Sequence, residues 1–273
     1  MVLEKCWGVD CLGPKGLPRI EDGVVDLIIA DPPYWGVVKE DWDNQWSSEE
    51  EYVAWCQKWI DECWRTLRIG GAMWLFGYFR NLIGVLAALD KDKWVIKQQI
   101  VIYKGRRATA RRDGKTLKMC PTATESVILL VKKGIVDVLK GCGLSAVEAN
   151  KRLGQQTRGG GLWSRWMHEK CTPNREQLEK LGIGSKVWQT WNKIQGLTDV
   201  WDDIDFYNLG VKRRHPTQKP GKLMERLLEL SSCAGDLVVD PFMGSGILGD
   251  VCDEMGRNYI GFEIGEKEAG GTG

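Results

Sequence analysis

The chain has 273 residues, which is enough for one large α/β domain or for one domain with a sizeable insertion. A formal net charge of +1 excludes a global electrostatic attraction to nucleic acid, so any nucleic-acid surface must be local. The sequence shows no signal peptide and no apolar run of membrane length, and its nine cysteines form no regular Cys-x-x-Cys framework. These features predict a cytoplasmic protein with reduced thiols, and they argue against a membrane protein or a secreted disulfide scaffold.

The first two predicted strands each end in a polar turn. The first covers Leu3–Val9 and leads into Asp10 and Cys11. The second, Val24–Ala30, is followed directly by Asp31-Pro32-Pro33-Tyr34. Two prolines stop both a strand and a helix, so a carboxylate and an aromatic ring stand in a stiff turn at the carboxyl end of a strand. That edge of an open α/β sheet binds ligands, and this turn suits a planar, hydrogen-bonding ligand such as a nucleobase.

The next segment alternates predicted helices and strands. Ser47 or Ser48 caps a helix that has glutamates in its first turn, tryptophans in the core and Gly70-Gly71 at its end. The elements that follow are a strand at Ala72–Phe76, a helix at Leu82–Leu89, and strands at Trp94–Tyr103 and Ser126–Val131. Strands that alternate with helices predict a mostly parallel, doubly wound α/β sheet.

A basic run joins the last two of these strands. It begins at Lys104 and contains Arg106, Arg107, Arg111 and Arg112. Because this run lies next to the suspected ligand edge, we expect it to contact DNA phosphates, and the alternative is a solvated loop without a ligand.

From residue 135 to residue 205 the alternation of strands and helices breaks. This break predicts a helical insertion between two parts, 1–134 and 206–273, of one domain. Two short helices are indicated, one capped by Ser145 and ended by Gly154, the other near Gly161–His168, and a third covers Arg175–Leu181. The arrangement is similar to the helix-turn-helix of phage repressors, whose second helix faces the major groove.

This similarity makes Arg158, Ser164 and Arg165 candidate DNA contacts. The alternative is a helical lid that reads no bases. No metal site is predicted, because His168 and Cys171 have no second pair with zinc-finger spacing.

The chain then returns to alternating strands and helices. The predicted elements are a helix at Leu223–Leu230, a strand at Leu237–Asp240, a helix at Ile247–Met255 and a strand at Asn258–Ile264. The turn after Asp240 contains Gly244-x-Gly246-x-x-Gly249, and Glu263 ends the following strand. An acid at that place can accept hydrogen bonds from both ribose hydroxyls, which predicts an adenosine-containing ligand. Asp240 suits an ammonium group and favours a ligand with an amino-acid tail over a pyrophosphate.

Three motifs together resemble the S-adenosylmethionine-dependent DNA amino-methyltransferases: Asp-Pro-Pro-Tyr at 31–34, His-Pro-Thr-Gln-Lys-Pro at 215–220 and Asp-Pro-Phe-Met-Gly-Ser-Gly at 240–246. Their order is that of the beta group of this family, and the resemblance covers 1–135 and 206–264. It implies a doubly wound mixed sheet with the Rossmann-like class I methyltransferase fold, in which 135–205 takes the place of the variable target-recognition region. It also implies methyl transfer from S-adenosylmethionine to the N6 amine of an adenine flipped out of double-stranded DNA.

The resemblance implies a role for each residue of the first motif. Asp31 and the carbonyl of Pro32 would accept hydrogen bonds from the amine and stabilise its developing positive charge. Pro33 stiffens the turn, and Tyr34 would stack on the flipped base.

The resemblance also implies the cofactor site. Glu263 would bind the ribose, Asp10 with Cys11 would meet the adenine, and the turn after Asp240 would hold the methionine end. The implied cofactor-binding residues are Asp10, Cys11, His215, Thr217, Lys219, Asp240, Pro241, Phe242, Gly244, Ser245, Gly246 and Glu263.

Several alternatives remain open. The family tends to have Asp at the first motif position for adenine and Ser for cytosine N4, so Asp31 favours adenine, and cytosine N4 is the alternative within the class. Two alternatives lie outside this class of enzyme. One is a nicotinamide dehydrogenase built on Gly244–Gly249, which leaves Asp31 unexplained, and the other is a DNA-binding regulator with an inactive catalytic domain.

Residues 265–273 lack the apolar face of the helix that usually follows the last strand, so one flank of the cofactor site is expected to be thin or covered by another subunit. Expected partners are double-stranded DNA, a second copy of the chain in a homodimer, and a cognate restriction endonuclease.

Overall fold

The computed structural model describes residues 2–37, 41–105, 122–156, 161–168, 173, 175–183, 197–207 and 218–265. The described strands are β1 Leu3–Trp7, β2 Val25–Ala30, β3 Leu67–Gly77, β4 Trp94–Tyr103, β5 Thr124–Lys132, β6 Val200–Trp201, β7 Leu237–Asp240 and β8 Asn258–Glu263. The described helices are α1 Glu49–Thr66, α2 Phe79–Ala87, α3 Ile135–Gly141, α4 Ala146–Arg152, α5 Gly161–Met167, α6 Arg175–Leu181, α7 Gly221–Ser231 and α8 Ile247–Glu254.

The eight described strands form one mixed sheet in the order β1-β8-β7-β2-β3-β5-β4-β6. β5 runs antiparallel to both β3 and β4, and the other neighbouring pairs are parallel. Side chains alternate between the two faces, so Ile28 belongs to the apolar core beneath α1 and α2, whereas Ile29 belongs to the core beneath α7 and α8. Helices therefore cover both faces, and the prediction of a doubly wound mixed sheet is confirmed.

The predicted end of the first long helix is wrong. Ser48 caps α1 as expected, since its side chain accepts a hydrogen bond from the Glu51 amide. The helix ends at Thr66, however, and the two glycines lie inside β3. Leu67 already has extended backbone angles, and the pairing of β2 with β3 is irregular before Ala72. Gly70, with a φ of +79°, serves this irregular stretch of strand and not a helix cap.

The predicted start of α2 is also late by three residues. Helix α2 begins at Phe79 and not at Leu82. Phe79 and Arg80 face solvent, so the apolar periodicity that predicts the helix does not include its first turn. The remaining predicted elements in the described part agree with the structure within a few residues.

The described helices α3 to α6 pack around an apolar cluster of their own. Its buried members include Leu139, Ala149, Trp163, Trp166 and Leu178. The predicted cap at Ser145 and the predicted stop at Gly154 are both confirmed, the first by a hydrogen bond from the Glu148 amide and the second by a φ of +71°.

Three further observations concern the described residues alone. None of their helices is long and apolar enough to cross a membrane. Their cysteines are free thiols. They contain no group of His, Cys, Asp and Glu side chains that could hold a metal ion.

Candidate active site

The two turns singled out from the sequence lie side by side at one edge of the sheet. β2 and β7 are parallel neighbours, with Leu27 opposite Val238 and Ile28 opposite Val239. Both strands therefore end at the same edge, and the turns that begin at Asp31 and at Asp240 are adjacent. The expectation that the fold brings these two motifs together is confirmed.

The turn that follows Asp31 is held by two residues outside the motif. The carboxylate of Asp43 accepts hydrogen bonds from the backbone N–H of Tyr34 at 2.8 Å and of Val37 at 2.6 Å. The hydroxyl of Tyr52, on α1, donates to the carbonyl of Pro33 at 2.9 Å. Asp43 is only 1% exposed, so these bonds are shielded from water. The turn is fixed by distant partners as well as by its prolines.

The carboxylate of Asp31 belongs to a cluster of charged and phenolic groups. The hydroxyl of Tyr34 lies 2.5 Å from Asp31 Oδ1 and 2.6 Å from Glu125 Oε1. Lys219 Nζ lies 3.0 Å from Asp31 Oδ1 and 2.8 Å from Glu125 Oε1. On the far side of Glu125, Lys104 Nζ lies 3.2 Å from Oε2. Two carboxylates thus face two ammonium groups around one phenol.

Proton affinities in this cluster follow from burial and from the neighbouring charges. Burial raises the pKa of the Asp31 carboxyl, the Lys219 ammonium lowers it, and the Glu125 carboxylate raises it, with a net increase. Burial alone would lower the pKa of Lys219, but Asp31 and Glu125 raise it above its ordinary value. Burial and the two carboxylates raise the pKa of Tyr34, so its hydroxyl keeps its proton. Lys219 is therefore a permanent cation beside Asp31.

The second turn surrounds a buried acid. Asp240, 6% exposed, accepts hydrogen bonds from the amide of Phe242 at 3.1 Å and from the hydroxyl of Tyr259 at 3.3 Å. Among the described residues no lysine or arginine forms an ion pair with it. Burial raises the pKa of Asp240 to about 8. An ammonium group would neutralise this carboxylate, so the site fits a ligand with an amino-acid tail.

Glycines and Glu263 shape the rest of this turn. Gly244 and Gly246 have φ values of +53° and +72°, which side-chain-bearing residues rarely adopt, and Gly246 precedes α8. The Glu263 carboxylate accepts the amides of Gly244 at 2.8 Å and of Gly265 at 2.9 Å. Each of its oxygens keeps a second acceptor position, which suits the two hydroxyls of a ribose.

Two aromatic residues that the sequence predicted only as core support this turn. The ring of Phe242 packs against Trp55 at 5.7 Å and edge-on against Trp59 at 5.1 Å, between ring centroids. Helix α1 therefore contacts the turn after Asp240 directly, while its Tyr52 holds the turn after Asp31. One helix positions both motifs.

The first strand brings Asp10 and Cys11 to the same edge. Trp7 lies opposite Glu263 in the pairing of β1 with β8, and the Val9 amide donates to the Glu263 carbonyl. Asp10 is exposed and accepts the Leu12 amide at 2.9 Å, whereas Cys11 is buried. Both residues follow β1 next to Glu263, as the expected adenine side of the site requires.

The remaining candidates divide into three groups. Lys219, expected at the methionine end of the cofactor, contacts the Asp31 cluster instead, and Pro241 and Ser245 lie in the turn after Asp240. Ser164 and Arg165 lie on α5, with Arg165 exposed. Outside the described residues are Arg106, Arg107, Arg111, Arg112, Arg158, His215 and Thr217.

Sequence reasoning missed Glu125, Asp43 and Tyr78, and it singled out Lys104 only as part of the basic run expected to contact phosphates. Tyr78 contacts the ring of Tyr34 edge-on at 5.3 Å, and its hydroxyl accepts a hydrogen bond from Lys104 at 3.1 Å. The one available signal was an acid, Glu125, immediately before a predicted buried strand, since a charged residue at such a place needs a partner.

Comparison with known proteins agrees with this geometry. The model of a family described as DNA methylase matches residues 25–270. The type II methyltransferase M2.DpnII of Streptococcus pneumoniae is 26% identical over 93% of this chain, and M.HinfI of Haemophilus influenzae is 26% identical over 94%. The chain spans 82% of the first relative and 64% of the second.

Solved structures have the same fold. The structure of a complex of M1.HpyAVI with SAM superposes on this chain with a TM-score of 0.58 and 21% sequence identity. The match covers 98% of this chain and 95% of the M1.HpyAVI chain. The cytosine-N4-specific PvuII DNA methyltransferase is 16% identical and covers 96% and 83%, with a TM-score of 0.54. Because the fold is shared with a cytosine-N4-specific enzyme, it does not by itself favour adenine as the target base.

Proposed function

The chain belongs to the DNA methylase family and is an S-adenosylmethionine-dependent DNA amino-methyltransferase, and we propose that it methylates the N6 amine of adenine in double-stranded DNA. The observation that carries this proposal is the adjacency of two acidic turns at one sheet edge, with Asp31 in one and Asp240 in the other. Asp at the position of Asp31 favours adenine in the resemblance to this family. The family match removes the dehydrogenase alternative.

Asp31 and Pro32 act on the exocyclic amine. Such an amine is a weak nucleophile because its lone pair is delocalised into the ring. Hydrogen bonds from its two N–H groups to the Asp31 carboxylate and the Pro32 carbonyl draw it towards tetrahedral geometry and stabilise the positive charge that develops. Asp31 need not be a strong base, because the amine protons become acidic as the bond to carbon forms.

When the base binds, the hydroxyl of Tyr34 would lose its contact with Asp31 and the ring of Tyr34 would gain a contact with the base. In the free protein its hydroxyl contacts Asp31 at 2.5 Å, where the amine would donate. A base flipped out of the duplex would displace this hydroxyl, and the Tyr34 ring would then stack on the base. The cost of breaking the hydroxyl contact is offset by the stacking and by the new hydrogen bonds from the amine.

The second turn holds the cofactor, which supplies an electrophilic methyl group when bound. Asp240 would receive its ammonium group, Glu263 would accept from its ribose, and Asp10 and Cys11 would lie next to its adenine. Support for this assignment comes from the lack of a cationic partner for Asp240 among the described residues and from its pKa of about 8. Fixing the donor in line with the amine accounts for much of the rate. His215 and Thr217 stay candidates for the methionine end.

The helical segment 135–205 would read the DNA sequence. Arg165, exposed on α5, and Ser164 next to it are the described candidates for DNA contact. The relatives are named type II methyltransferases, which supports a cognate restriction endonuclease as partner, with the enzyme acting in the cytoplasm. A homodimer would cover the flank of the cofactor site beyond Gly265, and sedimentation of the full chain with and without cofactor tests for it.

Expression in a methylation-free bacterial host tests the reaction. Modification-sensitive sequencing should find one sequence motif methylated, and nucleoside digestion should release N6-methyldeoxyadenosine. N4-methyldeoxycytidine would contradict the choice of base, and unmodified DNA would contradict the function. Glu254→Ala, on the exposed end of α8, is the control that should methylate as well as the unaltered chain.

A further inference from the structure

Glu125 occupies a place in the site that the assigned roles leave unused. It is the second residue of β5 and is 1% exposed. Its carboxylate contacts Lys219 at 2.8 Å, Lys104 at 3.2 Å and the Tyr34 hydroxyl at 2.6 Å. Burying a carboxylate costs free energy even when it is paired, so its presence at the edge of a proposed base pocket indicates a role there.

Lys219 links Glu125 to the proposed catalytic carboxylate. Its ammonium lies between Asp31 and Glu125, at 3.0 and 2.8 Å, and its side chain is 11% exposed. It also lies over the rings of Tyr34 and Phe76, at 5.4 and 5.0 Å from their centroids. Ordering a long, flexible side chain costs conformational entropy, and an anion on each side of the ammonium offsets this cost.

We propose that Glu125 is a positioning residue, which holds the Lys219 ammonium against the Asp31 carboxylate and so keeps Asp31 an ionised acceptor for the amine. This inference rests on the proposed function for its purpose, but the contact between Lys219 and Asp31 is defined in the free protein.

The proposed role of Glu125 depends on Lys219, because the direct effect of Glu125 on Asp31 is unfavourable. Its own negative charge raises the pKa of Asp31, which disfavours the ionised form. Burial would raise the pKa of Glu125 itself, but Lys219 and Lys104 lower it to about 2, so it stays charged. Glu125 therefore has two opposite effects on the pKa of Asp31. Its own charge raises this pKa, and the Lys219 ammonium that it holds in place lowers it.

Opposite signs allow two substitutions to separate the effects. Glu125→Gln keeps an oxygen that accepts from Lys219 but removes the negative charge. Glu125→Ala removes both, and it frees the Lys219 side chain to leave Asp31. Among the described residues, the other ionisable groups that interact with Asp31 are Tyr34, Tyr52 and Asp240, and none of them is altered in these variants.

The experiment is a carbon-13 NMR titration of Asp31 in the full-length free protein, with Asp31→Asn used to assign the signal. The pKa of Asp31 should be lower than in the unaltered chain in Glu125→Gln and higher in Glu125→Ala. Turnover on DNA should fall about 100-fold in Glu125→Ala and less than about 10-fold in Glu125→Gln, because the amide oxygen still holds Lys219. S-adenosylmethionine affinity should stay unchanged in both variants.

An unchanged or lowered Asp31 pKa in Glu125→Ala would overturn the proposal. Glu125→Asp decides the matter if the alanine variant does not fold, since the shorter acid keeps its charge and draws Lys219 away, which should raise the Asp31 pKa. Glu254→Gln controls for the loss of an exposed acid. If the pKa values of Asp31 follow the expected order but the unaltered chain does not methylate DNA, the proposed function is refuted and the positioning role of Glu125 is retained.

Discussion

The turn after Asp31 and the turn after Asp240 each present one acid at the same sheet edge, yet their surroundings are opposite. Asp31 is partly exposed and lies against a lysine and a phenol. Asp240 is buried, and its contacts within the described part of the chain are an amide and a hydroxyl without a cation. The first acid has its counter-charge built into the protein, whereas we propose that the second receives one from a ligand. In this proposal, identical side chains become an acceptor for a neutral amine and a receptor for an ammonium group.

Removal of the Asp31 side chain should give the largest effect on methyl transfer, and it should distinguish the roles of the two turns most clearly. We expect Asp31→Ala to lower methyl transfer by at least about 1,000-fold, because one of two acceptors for the amine is lost in a water-poor site. Single-turnover transfer to DNA measures this. Residual transfer within about tenfold of the unaltered chain would refute the role of Asp31.

Substitution of Asp240 should affect binding of the cofactor, by about 100-fold in the dissociation constant for Asp240→Asn. Calorimetric titration of the free protein with S-adenosylmethionine measures this loss. Glu254→Gln on α8 is the matched control for removing one acidic charge. Equal affinity in Asp240→Asn and the control would contradict the account.

The same variant should be more stable than the unaltered chain in alkaline solution. The folded pKa of Asp240, about 8, lies above its unfolded value, so the folded state binds the extra proton and loses stability as pH rises from about 4 to about 8. Asp240→Asn removes this loss and should gain on the order of 2 kcal/mol at pH 9 and little at pH 4. Chemical unfolding at both pH values tests the difference, and a gain independent of pH would contradict it.

Asp43→Ala should loosen the turn after Asp31 and leave the other turn intact. Its carboxylate holds the amides of Tyr34 and Val37. Their loss should reduce turnover about tenfold and the free energy of unfolding by about 2 kcal/mol, with unchanged cofactor affinity. Asp41→Ala is the control, because Asp41 is an exposed acid in the same short 3₁₀-helix, Asp41–Asp43.

The smallest effect is expected from Tyr34→Phe, which keeps the ring and removes the hydroxyl. Turnover should fall only about threefold, since stacking is preserved. The Tyr34 hydroxyl lowers the pKa of Asp31 in the free protein, so its removal should shift the acid limb of the pH profile of kcat/KM to higher pH. A shift to lower pH would show that the hydroxyl does not stabilise ionised Asp31.

The sequence was informative where function is local in the chain. Asp31, Asp240 and Glu263 stand at strand ends, and both the strands and the adjoining turns leave residue patterns that predict them. Glu125 is separated along the chain by 91 residues from Tyr34 and by 94 residues from Lys219, and no local sequence pattern predicts such contacts. The prediction that Gly70-Gly71 ends the first long helix failed for another reason, because glycine occurs both at helix ends and in irregular strands.

Comparing Asp31→Asn with Asp240→Asn in two measurements tests the division of labour most directly. The account predicts that Asp31→Asn binds S-adenosylmethionine like the unaltered chain but transfers no methyl group at any cofactor concentration. It predicts that Asp240→Asn binds the cofactor weakly but recovers much of its transfer rate when the cofactor is saturating. Loss of cofactor affinity in Asp31→Asn as large as in Asp240→Asn would contradict the assignment of the amine to one turn and the methyl donor to the other.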